Sequence, residues 1–384
     1  MMKKMMALLL CSQMAYAQSD TVRMAHIGLV YPLSTNGKDA KNYTNYGSFH
    51  VLGGVSAGEK SFCLSGIATA VVHNADGFIL SGVVNHIGGN SKGMQMAGVT
   101  NYNGGTVKGF QIAGFNNIAR NTNGLQMAGF SNIAKDSASG AQMAGFSNIA
   151  KVSGTQAAGF VNVSKSTQGA QMAGFANISK SVRGAQLAGF ANIAKEVNGM
   201  QASGFINVAK KVKGVQVAGF INIADSCDYP IGLINIIKNG EQYIGLTVDE
   251  SATTMVALRS GSKKMYGILG VGINPVHDEL RYGLEGGIGM NIQLSAAFRF
   301  KTEFTVLSLT DFTNGVFMKS SVRILPALKI GNRFEAFAGP SFGFSNYPLD
   351  LGDELNLQYL WSRRSKGTFY GLNVGAMAGV QVRL

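Results

Sequence analysis

From Gly93 to Asp225 one phrase recurs, Gly-x-Gln-x-Ala-Gly-Phe-x-Asn-Ile-Ala-Lys, and nothing else in the chain limits its fold as strongly. It reads GFQIAGFNNIAR from Gly109, GAQMAGFSNIAK from Gly140, GAQMAGFANISK from Gly169 and GVQVAGFINIAD from Gly214. The central glycines, among them Gly114, Gly129, Gly145 and Gly159, return every 14 to 16 residues, and length varies only between phrases. A fixed period with insertions confined to one place marks stacked structural units.

The unit is too short for a helix pair, and its glycines and β-branched residues argue against helix. Alternation argues for strand. Ala141, Met143, Gly145, Ser147 and Ile149 share one parity, and Gln142, Ala144, Phe146, Asn148 and Ala150 share the other. Two all-β architectures fit. Each unit is one coil of a β-solenoid, or one antiparallel strand of a large membrane β-barrel that takes in the whole chain.

Three observations favour the solenoid. The connections are uniformly short, whereas outer-membrane barrels alternate short turns with longer loops. No Tyr or Trp lies between Tyr102 and Tyr229, so aromatic girdles are missing from this stretch. Parallel stacking also explains two polar columns, one running Gln95, Gln111, Gln126 to Gln216 and one running Asn101, Asn117, Asn132 to Asn222. Stacked amides can donate and accept along such a column.

The 384 residues carry 51 glycines, 14% charged residues and a formal charge of +13, so anionic partners are favoured over cationic ones. Residues 1–17 read as a secretory signal, with Lys3 and Lys4, a short apolar run and the small pair Ala15 and Ala17 before a cleavage site. Cys11 after Leu8–Leu10 hints at a lipoprotein signal, but Leu10 is too large for the usual small residue there. Cys63 and Cys227 lie at opposite ends of the array, too far apart in a solenoid for a disulfide, and read as small buried apolar residues.

Residues 18–60 read as an N-terminal cap and 61–240 as a solenoid of about a dozen coils, since solenoids need atypical ends. From 241 to 384 Tyr and Phe return and longer alternation appears. In 281–294, Tyr282, Leu284, Ile288, Met290 and Ile292 oppose Arg281, Glu285, Asn291 and Gln293. Further on, apolar faces oppose Arg299, Lys301 and Glu303, then Lys319, Arg323 and Lys329, then Arg333 and Glu335, then Asn373, Gln381 and Arg383. This pattern predicts an antiparallel β-barrel of about eight strands with a lipid-facing wall, a polar interior and internally paired charges, hence an anchor and not a pore. The chain ends inside a strand on apolar Leu384, as such barrels commonly do.

The GVQVAGFINIAD-type units, the exit SCDYPIGLINIIKNG and the stretch RSGSKKMYGILGVG resemble the uncharacterised surface repeat-containing proteins of Gram-negative bacterial outer membranes. That resemblance covers most of the chain after the signal. It implies a location, the outer membrane or cell surface, and no established activity.

Two catalytic motifs are approached and missed. Gly53 to Ser61 resembles a phosphate-binding loop, but Glu59 stands where its lysine belongs. Gly54-Val55-Ser56-Ala57-Gly58 matches G-x-S-x-G, but no helix pattern follows it. His26, His50, His73, His86 and His277 lack ligand spacing, so no metal or other cofactor is expected. Carboxylates in the array are scattered, against the clustering that glycan cleavage needs.

One constellation carries weight. Arg120, Lys135, Lys151, Lys165, Lys180, Lys195 and Lys210 follow Asn-Ile-Ala or its variants at one repeat position and would stack into a cationic stripe. It is either a solvated edge that discourages aggregation or a docking strip for polyanions. The expected function is a non-enzymatic surface or outer-membrane protein, structural or adhesive. Its expected partners are outer-membrane lipid and, along the stripe, anionic polysaccharide or lipopolysaccharide; nucleic acid is not expected. The competing readings are a pore built partly from the repeats and, behind it, a polysaccharide-acting enzyme.

Overall fold

The computed structural model describes residues 21–276, 278–313, 316–351, 355 and 357–384. The expected signal, its cleavage after Ala17, Cys11 and His277 lie outside them. The described chain is a parallel β-solenoid of about 13 turns and a closed 8-strand antiparallel β-barrel. The repeats pair in parallel, so they are coils and not barrel strands. No helix among the described residues is long and apolar enough to cross a membrane, which says nothing of strands.

The chain divides into two compact units, up to Gly145 and from Phe146 onward. In the first, the strand Thr21–Val30 pairs in parallel with Tyr43–Ser56 after a 3-10 turn at Gly37–Asn42. In the coils that follow like aligns with like, with Gln111 between Gln95 and Gln126 and Asn117 between Asn101 and Asn132, and one register shift falls between Ala119 and Asn121. Early coils enclose Cys63, Val71, Ala75, Ile79 and Ile87.

In the second unit one period is the strand Ser181–Ala188, a bend at Gly189-Phe190 and the strand Ala191–Ile193. Like stacks on like: Gln186 on Gln201 and Gln216, Asn192 on Asn207 and Asn222. Each period buries Val182, Gln186, Asn192 and Ala194 or their counterparts. The bend corrects the simple alternation. Phe146 shares a parity with Gln142 and Asn148, yet both amides are 0% exposed while Phe146 is 40% exposed. The Gly-Phe corner turns the chain between two short strands, so parity does not carry across it.

The corner explains its own glycine. A Cβ on Gly174 would stand 2.2 Å from the carbonyl oxygen of Gly159 below, and one on Gly189 would stand 2.1 Å from that of Gly174. Coils can approach only because this column has no side chain.

The barrel strands are Glu241–Asp249, Thr254–Gly261, Met265–Ile273, Tyr282–Gln293, Phe298–Thr310, Phe317–Ile330, Phe334–Pro348 and Thr368–Arg383. Pairing of the first with the last, from Tyr243 against Arg383 to Asp249 against Met377, closes it. A ninth strand, Tyr359–Ser365, forms a hairpin with the last strand where the first has ended.

Candidate functional site: the lysine column and the filled barrel

The solenoid interior is lined by amides, and the ladders satisfy them. Gln171, Gln186, Gln201 and Gln216 each donate Nε2 to the Oε1 of the glutamine one coil earlier, at 2.8–2.9 Å. Asn162, Asn177, Asn192 and Asn207 donate Nδ2 the other way, to the Oδ1 one coil later, at 2.9–3.0 Å. The same Nδ2 groups reach a backbone carbonyl of the next coil at 2.7 Å. The two ladders have opposed dipoles, so neither builds an uncompensated field along the core.

Outside, two stripes run along the coils. Phe160, Phe175, Phe190 and Phe205 stack at 4.9–5.0 Å between ring centroids, with planes 2–9° apart. The second stripe is cationic. Lys151, Lys165, Lys180, Lys195 and Lys210 are exposed, and Lys180, Lys195 and Lys210 each donate a backbone N–H to the preceding lysine's carbonyl at 2.9–3.2 Å. Arg120 and Lys135 occupy the same repeat position in the first unit and are exposed as well. The column ends at Asp225, one coil beyond Lys210.

The near-miss motifs fall in strands. Ser56 is buried in Tyr43–Ser56 with no helix following, and Glu59 is buried in Gly58–Ser65. Ser48 donates to both Glu59 oxygens at 2.8 and 2.9 Å, and burial pushes this carboxyl up to about 7. Sequence spacing also missed a contact: His50 Nε2 lies 3.2 Å from His26 Nδ1, and His50 Nδ1 lies 3.1 Å from Ser65 Oγ. Burial, with His26 beside it, holds His50 down at about 4. Among the described residues no group of three or more His, Cys, Asp and Glu is placed to hold a metal. Cys63 and Cys227 are free and buried, and burial raises their thiols to about 12 and about 11, so neither is a ready nucleophile.

Inside the barrel the predicted charges pair. Arg299 bridges Glu241 at 2.6 Å and Glu335 at 2.5 Å, and Lys301 reaches Glu335 at 3.2 Å. Arg323 meets Glu285 at 2.5 Å, and Lys319 meets Asp249 and Glu250 at 2.7 and 2.9 Å. Arg259 holds Glu303 at 2.9 Å, with the Tyr266 hydroxyl donating to the same carboxylate. Sequence reading passed over Glu241, Asp249, Glu250, Arg259 and Tyr266, although Ala257, Arg259 and Gly261 alternate with Val256 and Leu258. Arg281, Arg333 and Arg383 are not buried with these pairs; they are exposed near strand ends.

The interior is not polar throughout, a second correction. Towards the end that carries the longer loops, Met255, Leu307, Leu309, Phe317, Tyr347 and Phe369 pack with Leu351, Leu355 and Leu357 from the segment after Pro348. These three leucines make an apolar plug. At the charged end, the cavity among Glu241, Tyr243, Arg259, Tyr266, Arg299 and Lys301 is only about 10 Å³, room for about one water.

The solenoid's last coil ends on the barrel wall. Asn222 donates to Asn235 at 2.8 Å, and Asn235 then bonds Ser260, its N–H to Oγ at 2.9 Å and its Nδ2 to the carbonyl at 3.2 Å. The Asn ladder is thus capped by a barrel strand. Gly267 permits this approach, since a Cβ there would stand 2.0 Å from the carbonyl oxygen of Gly232. Comparison of the chain with protein-family models, curated proteins and solved structures finds no match.

Proposed function

We propose that this is a non-enzymatic outer-membrane protein in which the barrel is a non-conducting anchor and the repeats form a structural arm that docks polyanions along its lysines. The observation that carries the reading is the inverted barrel: charges buried and paired within, apolar side chains outside. Leu246, Val256, Leu284, Phe304, Val322, Phe342 and Val380 are exposed on the outward face of the wall. Aromatic side chains flank this band, with Phe298, Phe300 and Phe334 towards one end and Tyr282, Phe312 and Trp361 towards the other. A water-soluble barrel would hide so large an apolar surface, whereas a bilayer accepts it, with aromatic girdles at the two interfaces. The filled lumen supports an anchor over a pore.

The full-length protein is expected in the outer-membrane fraction, migrating as a heat-modifiable barrel in detergent and giving no single-channel conductance. Recovery as a soluble monomer without detergent overturns the anchor. Along the arm, Lys151, Lys165, Lys180 and Lys195 changed together to Gln should abolish salt-sensitive binding to anionic glycans or lipid. Exposed charges are screened within about 8–10 Å near physiological ionic strength, so binding should weaken steeply with salt. Unchanged binding would leave the column as a solvated edge.

A further inference from the structure

The two ends of the barrel differ, and the repeats are fixed to one of them. At one end the strands are joined by short turns, 262–264, 294–297 and 331–333. At the other end the connections are 250–253, 274–281, 311–316 and 349–367, the last including the Tyr359–Ser365 strand. The final solenoid coil is bound at the short-turn end. Ser262 in the first short turn donates its hydroxyl to the Asp228 carbonyl at 3.1 Å, and the Lys264 ammonium stands 5.4 Å from the Tyr229 ring centre. Ser260, which caps the Asn ladder, is two residues before that turn. Leu233 lies against the outward face of Gly286, so the coil covers the wall there, and the neighbouring Leu258 and Leu269 are half-buried where other wall residues are exposed.

Outer-membrane barrels place short turns in the periplasm and longer loops outside. We infer that the repeats from Phe146 to Gly240 lie on the periplasmic side, and that the polyanion within reach of the Lys151–Lys210 column is a periplasmic one, not the lipopolysaccharide of the outer leaflet. This rests on the outer-membrane reading. A second feature agrees with it. The long-loop end projects a hairpin with exposed Trp361, Arg363, Arg364 and Lys366, an aromatic beside cations, which suits a phosphate-bearing leaflet. Lipopolysaccharide contact therefore belongs to the hairpin and not to the lysine column.

The test uses the full-length chain in its own membrane, with single cysteines at exposed positions on each side: Arg183→Cys or Asn198→Cys in the solenoid and Arg363→Cys in the hairpin. The native Cys63 and Cys227 are buried, and the unsubstituted protein sets the background. With a membrane-impermeant maleimide, Arg363→Cys should label in intact cells. The two solenoid variants should label only after the outer membrane is permeabilised. Labelling of either solenoid variant in intact cells overturns the inference while leaving the anchor standing. Recovery of the protein in a soluble fraction removes the membrane reading and the inference with it, by a separate readout. Two solenoid positions guard against one substitution disturbing its coil.

Discussion

The solenoid and the barrel both bury polar groups, and they satisfy them by opposite means. In the solenoid the buried group is neutral and its partner is a copy of itself one coil away, as with Asn177 between Asn162 and Asn192. In the barrel the buried group is charged and its partner is a different residue far along the chain, as with Arg259 and Glu303. A translational repeat solves the problem once and copies the answer; a closed sheet must solve it at each site. The consequence is energetic. Losing one amide from a ladder exposes a neutral orphan, whereas losing one carboxylate from the lumen strands a charge.

Glu303→Leu should therefore have the largest effect. It leaves the buried Arg259 without its carboxylate and removes the acceptor of the Tyr266 hydroxyl. Breaking a buried pair this way costs about 3–5 kcal/mol. The heat-modifiable transition of the barrel in detergent should fall markedly, while the circular dichroism of the solenoid persists. Adding Arg259→Leu should recover much of the loss, because a fully apolar replacement of an ion pair is often neutral. A single substitution without effect would erase the contrast between the regions.

The N-terminal coils sharpen the comparison, since there the solenoid does bury titratable groups. Glu59 rises from 4.5 to about 7, so its contribution is present below pH 4.5 and is lost as pH climbs through 7. His50 falls from 6.5 to about 4, so its contribution is present above pH 6.5 and is lost as pH drops through 4. Between pH 4.5 and 6.5 the two slopes oppose each other, with His26, also held down by burial, on the histidine side. Glu59→Gln should uncover the histidine slope, a loss on the order of 3 kcal/mol between pH 6.5 and 4, from about 1.4 kcal/mol per pKa unit. Chemical denaturation of the variant across that range checks it; a flat profile means that His50 does not titrate as its burial implies.

Within the regular coils the expected costs are smaller. Asn177→Leu orphans the Asn162 donor, the Asn192 acceptor and the Leu187 carbonyl, which should cost about 1–3 kcal/mol. Gly174→Ala forces a Cβ against the Gly159 carbonyl and should cost a similar amount, about 1–3 kcal/mol, by overpacking. Local hydrogen exchange in the flanking coils reads both. If Asn177→Leu were harmless, the ladder would be ornament and the comparison with the barrel would fail.

What the sequence discloses follows the same division. The amide columns, the lysine column and the parallel stack were legible because a period repeats one local environment many times. The outward stack of phenylalanines was not, because the corner after Gly174 resets parity between strands three to eight residues long. In the barrel the long strands, such as Tyr282–Gln293, announced both faces, and Glu285, Arg299, Lys301, Glu303, Lys319, Arg323 and Glu335 were placed inside correctly. Their partners Glu241, Glu250 and Arg259 were missed, because alternation over a strand as short as Thr254–Gly261 is a weak signal and Glu250 lies in a turn. The apolar plug was missed for another reason: Leu351, Leu355 and Leu357 belong to a connection, and alternation says nothing about connections.

The smallest expected effect concerns that phenylalanine column. Phe175 is 42% exposed, and its ring centre lies 4.9 Å from Phe160 and 5.0 Å from Phe190, nearly parallel to both. Its ring is only partly buried, so Phe175→Ala forfeits modest apolar contact and the two stacking terms. Aromatic pairs are worth about 0.5–1.5 kcal/mol each when well formed, and solvent exposure places this site at the low end. A loss near 1 kcal/mol is expected, below that of Asn177→Leu, although the ring is much the larger side chain. That inversion is the sharpest statement of how this solenoid is held: by small polar groups within and not by large apolar ones without. Denaturant unfolding of the two variants side by side measures it, with the ratio of losses as the readout. A larger loss from Phe175→Ala would mean that the outer stack, and not the amide core, sets the stability of the coil.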